Sequence, residues 1–161
     1  MAYPGHGVGR IAARETRSVL GVEQDVIVIE FDDDLTVTLP LERARALLRP
    51  PVTEVGISDI KDTLRADGEL SDEAWSKRVV RTQEKLRNGN PLELAEIIRD
   101  GARRERVAGA KGSASSKLSP SERSLCARAR ELLSGEIGLV RGLDRAAANV
   151  WIDEQLAAAA G

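Results

Sequence analysis

Aromatic side chains are nearly missing from this sequence: Tyr3, Phe31, Trp75 and Trp151 are the whole set among 161 residues. A platform that stacks single-stranded bases needs several aromatic faces, so that mode of nucleic-acid binding is not expected. Cysteine is limited to Cys126, which rules out an intramolecular disulfide and suits a reducing compartment. Histidine is limited to His6, set among glycines and a proline with no nucleophile or orienting acid around it. One His and one Cys cannot build a usual zinc site. Cys126 lies between Leu125 and Ala127 with no nearby base, and reads as a buried structural thiol. No apolar run approaches the ~18 residues of a membrane span, and the opening MAYPGHGVGR has no signal-like apolar core. The inventory therefore reads as a cytoplasmic protein that is not an enzyme, needs no cofactor and meets no membrane.

Charge is abundant but unevenly placed. The formal net charge is -2. Between Trp75 and Arg130, however, 14 basic residues face only 6 acidic ones. Six acids cannot pair fourteen bases, so this segment alone points to a polyanionic partner.

The chain divides at Arg49-Pro50-Pro51. Before it, Val8–Arg17 reads as extended, Gly21 as a turn, and Gln24–Phe31 and Leu35–Leu39 as a hairpin around Asp32-Asp33-Asp34. Calcium-loop spacing is absent from that acidic turn. One or two helical turns follow over Leu41–Leu48. Residues 1–51 thus form a small β-domain, marginal by size if it stood alone. Residues 56–161 are helical. A short helix is expected over Ile57–Arg65 with Ser58 as a cap, then Asp67-Gly68 as a turn. Two helices fill Asp72–Arg106, joined at Asn88-Gly89-Asn90. Ser71 is the expected cap of the first, Gly89 its left-handed end, and Asn90-Pro91-Leu92-Glu93 the capped start of the second. Gly109–Lys117 reads as a loop. Ser119-Pro120-Ser121-Glu122 opens a helix expected to stop at Ser134-Gly135, before a short helix over Glu136–Gly142 and an Ala-rich one over Asp144–Ala160. The fold class is α+β with two domains, a small β-domain followed by a bundle of about five helices.

Trp75 stands in the first turn of the first central helix. Lys77, Arg78, Arg81 and Lys85 spread over its surface. On the second helix Arg99, Arg103 and Arg106 share one stripe. Spacing leaves two readings of Trp75 open. It is either a core residue or an apolar wedge on a phosphate-binding surface.

At this point the chain resembles a known family. Y-P-G-H-G-V-G at Tyr3–Gly9, D-L-T-V-T-L-P at Asp34–Pro40, and W-S-K-R at Trp75–Arg78 leading into E-K-L-R-N-G-N look like the CarD/CdnL family of bacterial transcription regulators. L-A-E-I-I-R-D at Leu94–Asp100 and the run from Ser119 to Ile137 continue the likeness, in order and over nearly the whole length. The resemblance implies a Tudor-like N-terminal domain that binds the β1 lobe of the RNA polymerase β subunit, as a similar domain of the transcription-repair coupling factor does. It implies a helical domain at promoter DNA, at the upstream edge of the transcription bubble, where the family Trp, matched by Trp75, wedges into the minor groove.

By position, phosphate contacts carry over to Lys77, Arg78 and Arg123. Arg81 joins them from the cationic helix itself. On the polymerase side Arg17 matches a family arginine, and Thr38 occupies a strand position where members carry Arg or an apolar residue. Loss of an Arg there would remove a charge-assisted contact. A monomer is expected, held at the nucleoid through polymerase. An adaptor that binds polymerase without touching DNA is the alternative. Three departures stand out. The family's opening, an apolar residue and Gly-Asp, is missing, so the first strand is expected to be clipped or the start to lie too far downstream. The 109–117 loop is long. Val79 and Val80 replace aromatics beside the Trp.

Overall fold

The computed structural model describes residues 1–32, 34–67, 69–111 and 118–159. Four antiparallel strands come first, in the order β1 (Ala2–Tyr3), β2 (Gly7–Val19), β3 (Val22–Phe31) and β4 (Thr36–Pro40). The β-branched run of β3 places Ile29 and Phe31 inward against Leu39 and the helix α1 (Leu41–Leu47), whose Ala44 closes this small core. β4 pairs only with Val26–Glu30, so the end of the β2–β3 hairpin extends past it as a two-stranded arm.

At the tip of that arm Leu20 and Gly21 both have positive φ, +54° and +80°, as a tight hairpin turn requires. Glycine tolerates this; leucine does not, and Leu20 is 99% exposed with no packing to offset the strain. Leu20→Asn installs a residue suited to that conformation and is expected to stabilise the protein by about 1 kcal/mol. Urea denaturation of the two chains measures it, and an unchanged midpoint would refute the strain at Leu20.

Among the described residues five helices form the second part: α2 (Glu54–Arg65), α3 (Trp75–Asn88), α4 (Pro91–Lys111), α5 (Pro120–Arg141) and α6 (Arg145–Ala158). Ile57, Ile60, Leu64, Ile98, Leu133 and Ile152 are the centre of their shared core. The α+β division therefore holds, and several local expectations change.

α2 begins earlier than expected, because Thr53 rather than Ser58 caps it, its Oγ1 accepting from Gly56 N at 3.3 Å. α3 begins at Trp75. Ser71 Oγ instead accepts from Glu73 N at 3.2 Å and closes a turn ahead of the helix. Gly89, at φ +64°, ends α3 as expected, and a Cβ there would lie 2.8 Å from Pro4 Cα. Asn90 caps α4, its Oδ1 accepting from Leu92 N at 2.9 Å. Glu93 does not complete a capping box, since its carboxylate is taken by Asn88 Nδ2 at 3.1 Å. α4 continues to Lys111, so Gly109–Lys111, expected as loop, are helical; residues 112–117, Gly68, Asp33 and Ala160 lie outside the described residues. The capping box Ser119–Glu122 is present in full.

The expected break at Ser134-Gly135 does not occur. α5 runs unbroken to Arg141, and Gly142 at φ +64° ends it. Ser134 is fully buried and satisfies its hydroxyl on the Glu131 carbonyl at 3.2 Å, while Glu136 and Ile137 are anchored in the interior. Tertiary packing outweighs the low helix propensity of Ser-Gly.

Arg49 joins sheet to bundle. Its backbone bridges to Ala2, N to O at 3.1 Å and O from N at 2.8 Å. Its guanidinium reaches both carboxylate oxygens of Glu136 at 2.5 and 2.8 Å, and the Gly89 carbonyl at 2.9 Å. Arg128 of α5 adds a bond to the Gly5 carbonyl at 2.7 Å.

Candidate nucleic-acid interface

The two tryptophans have opposite environments. Trp151 packs against the helical core, with the Arg141 guanidinium 4.9 Å from its ring centroid. Trp75 is the first residue of α3 and is 58% exposed. Half-exposing a Trp ring leaves on the order of 100 Å² of mostly apolar surface in water, roughly 2–3 kcal/mol of unused burial. Val80, one turn further on, is also exposed. The core reading of Trp75 is thereby removed, and an apolar ring stands at a helix start.

Exposed cations lie on the same helix and at the start of α5. Lys77 is exposed on the first turn. Arg81 is exposed and pairs with Glu73 at 2.9 Å. Arg123, from the start of α5, is exposed with only a 3.8 Å approach to Glu105. An exposed pair of this kind holds little energy, so these side chains can exchange their acid for a phosphate.

Arg78 differs. Its side chain is turned inward, donating from Nε to Glu122 at 2.8 Å and from an Nη to the Glu73 carbonyl at 2.6 Å. Its geometry ties α3 to α5 and does not present a free guanidinium to solvent. The sequence reading gives Arg78 as a phosphate contact; in the structure its side chain is 16% exposed and supports the segment that carries Trp75.

The central cationic segment is not one surface. Arg99 bonds Asp100 at 2.8 Å and approaches the Thr63 carbonyl at 3.4 Å, at the end of α2. Arg103 and Arg106 line the same cleft, bounded by Leu64, Leu156 and Ala159. Helix C-termini present carbonyls and partial negative charge, and this stripe lines a cleft with the ends of α2 and α6 rather than sharing a surface with Trp75. Lys85 is occupied by Glu96 at 2.6 Å.

Sequence reasoning missed the partner of Arg78. Glu122 is flagged by its capping box, but its pairing spans 44 positions and leaves no local trace. Burial alone would raise the Glu122 carboxyl; hydrogen bonds from Arg78 and Ser119 outweigh it and hold the group below the ordinary glutamate range. A carboxyl with a lowered folded-state pKa stabilises the fold above its unfolded value, and loses that contribution as pH falls through the lowered one. The stability gap between the wild type and Glu122→Gln is therefore expected to shrink on acidification below the glutamate range. Urea midpoints taken from neutral pH downward test this, and a gap that widened would refute it. Nearby, burial and then the Arg78 charge lower the pKa of Arg104, and Glu122 opposes both.

On the sheet, Arg17 lies opposite Gln24 and Thr38 opposite Val28, which places both on one face of β2–β3–β4. Both are exposed, and Arg17 pairs with Glu15. Cys126 packs on Gly101, and burial pushes its thiol up to about 11, which makes it a poor nucleophile. Among the described residues no group of three or more His, Cys, Asp or Glu is placed to hold a metal, and no helix is long and apolar enough to cross a membrane.

Comparison with known proteins places these elements in a family. Residues 1–52 match the domain described as CarD-like/TRCF RID, and residues 59–153 match the one described as CarD, C-terminal domain. The chain is also 28% identical over 145 residues to YdeB of Bacillus subtilis (strain 168), a protein provisionally named a transcription factor; the match covers 89% of this chain and 90% of that protein.

Proposed function

This chain belongs to the CarD-like family of transcription factors, and from that membership we propose that it stabilises the promoter open complex while bound to RNA polymerase. Residues 1–51 contact the β1 lobe of the polymerase β subunit through the sheet face that carries Arg17 and Thr38. Residues 56–161 contact promoter DNA in the minor groove at the upstream edge of the transcription bubble. The observation that carries this reading is Trp75, an apolar ring more than half exposed at a helix start, with the exposed cations Lys77 and Arg81 on the same helix and Arg123 at the start of α5. An apolar wedge offsets the unstacking of a base step, and the cations hold it on the backbone without reading sequence. A factor that binds the open state better than the closed one shifts that equilibrium toward the open state. Arg78 serves the surface from beneath.

The test is the lifetime of an open complex formed by purified bacterial polymerase on a defined promoter, with and without this protein, together with a DNA footprint. A longer lifetime and added protection at the upstream bubble edge are expected. Polymerase binding with no added protection would replace the reading with an adaptor that does not touch DNA. No polymerase binding would overturn the reading altogether.

A further inference from the structure

The start of α3 is not secured by its own residues. Ala74 stands at the cap position and supplies no side-chain hydrogen bond. The Trp75 ring is mostly outside the core, so packing does not fix its direction either. The segment 71–74 is held instead by three arginines from two helices. Arg78 donates to the Glu73 carbonyl at 2.6 Å, Arg81 to the Glu73 carboxylate at 2.9 Å, and Arg104 of α4 to the Ser71 carbonyl. Of these, Arg78 is itself fixed by one group, the Glu122 carboxylate at 2.8 Å.

Glu122 has two engaged oxygens. One accepts from Arg78; the other accepts from Ser119 N at 2.8 Å and closes the α5 capping box. The residue is only 6% exposed. It therefore links the first turn of α5, which presents Arg123, to the turn ahead of α3, which presents Trp75. Without it, Arg78 and Arg104 would be two adjacent, partly buried cations with their common anion gone.

We propose that Glu122 is a positioning residue for the DNA-contacting surface: through Arg78 it fixes segment 71–74 and thereby the direction of the Trp75 ring, and it sets the spacing between that ring and Arg123. It touches no DNA. The proposal rests on the wedge reading above and adds to it the group that aims the wedge.

Glu122→Gln separates positioning from folding. Glutamine serves at this position of a capping box, so the start of α5 is retained while the charge facing Arg78 is lost. In the full chain with Trp151→Phe, Trp75 is the only tryptophan emitter. Time-resolved anisotropy is expected to show a larger nanosecond local motion of Trp75 in Glu122→Gln, and no change in the exposed control Glu154→Gln. With polymerase, Glu122→Gln is expected to shorten the open-complex lifetime several-fold, and to have no further effect once Trp75 is alanine. Arg78→Lys keeps the charge but cannot reach Glu122 and the Glu73 carbonyl together, and is expected to behave like Glu122→Gln.

Unchanged Trp75 anisotropy in both variants would overturn the proposal. So would equal shortening with and without Trp75, because that pattern marks a general loss of structure. If Trp75→Ala shortens the lifetime and Glu122→Gln does not, the wedge stands and the positioning role falls. If Trp75→Ala has no effect, wedge and positioning fall together.

Discussion

Replacing Arg49 with alanine is expected to destabilise the protein by about 3 kcal/mol, the largest loss from any single change outside the hydrophobic cores. The reason is what remains behind. Glu136 sits in the middle of α5 with its side chain 3% exposed, and Arg49 is its only cationic partner among the described residues. Without Arg49 the carboxylate keeps one donor, Val52 N at 2.8 Å, and an uncompensated buried charge. Breaking a buried pair in this way costs about 3–5 kcal/mol, and the lower end applies because Arg49 itself is 30% exposed. The Gly89 carbonyl loses its donor as well.

Glu136→Gln leaves no orphan charge and is expected to cost less, about 1–2 kcal/mol. The order of the two variants is the decisive quantity, measured as urea midpoints with m-values checked for two-state behaviour. If Arg49→Ala were the milder of the two, the pair would not be the joint between sheet and bundle. Because Arg49 also pairs by backbone with Ala2, its loss acts where the sheet meets α5 and the α3–α4 turn.

The elements whose signals are local were legible from the sequence. The β-branched run around Ile27 specified a strand, Ser119-Pro120-Ser121-Glu122 specified a helix start, and Gly89 specified a helix end. Their causes lie within four residues of each other, so the chain itself carries them. Where the reading failed, a distant group had decided the matter. Ser134-Gly135 looks like a terminator, yet the helix passes through because Glu136 is anchored by Arg49, 87 positions away. Ser71 looks like a cap, yet it serves a turn whose carbonyl is taken by Arg104.

The same division runs through the candidate site. The coincidence of Trp75 with basic residues is visible in the sequence, and so is the family resemblance that gives it meaning. Which cations face outward is not visible. Arg78 and Arg81 are three apart on one helix and look alike, but one is turned inward onto Glu122, partly buried, and the other pairs with Glu73 in solvent. Arg99, Arg103 and Arg106 form a clean helical stripe in sequence and turn out to face the ends of two other helices. Side-chain direction depends on which buried anion or carbonyl lies across the interface, and that information is non-local.

Trp75→Ala is expected to shorten the open-complex lifetime about tenfold relative to the wild-type factor, while leaving the free protein folded and at most about 2 kcal/mol less stable. The two halves of that expectation have different physical origins. In the free protein the ring is more than half in water, so alanine loses only its smaller buried part, about 2 kcal/mol, offset in part by alanine's higher helix propensity. On DNA the exposed part of the ring would be covered for the first time. That burial is worth roughly 2–3 kcal/mol, part of which is spent against incomplete stacking, and the remainder, about 1.4 kcal/mol, corresponds to tenfold in rate. Val79 and Val80, the next apolar residues along α3, are small and carry no ring, so the wedge has little neighbouring aromatic support and its effect falls on one side chain. Trp75→Phe, with a smaller ring, is then expected to fall between the two. A folded Trp75→Ala factor that holds the complex as long as the wild type would refute the wedge and leave the cations and the polymerase contact to explain any stabilisation that is seen.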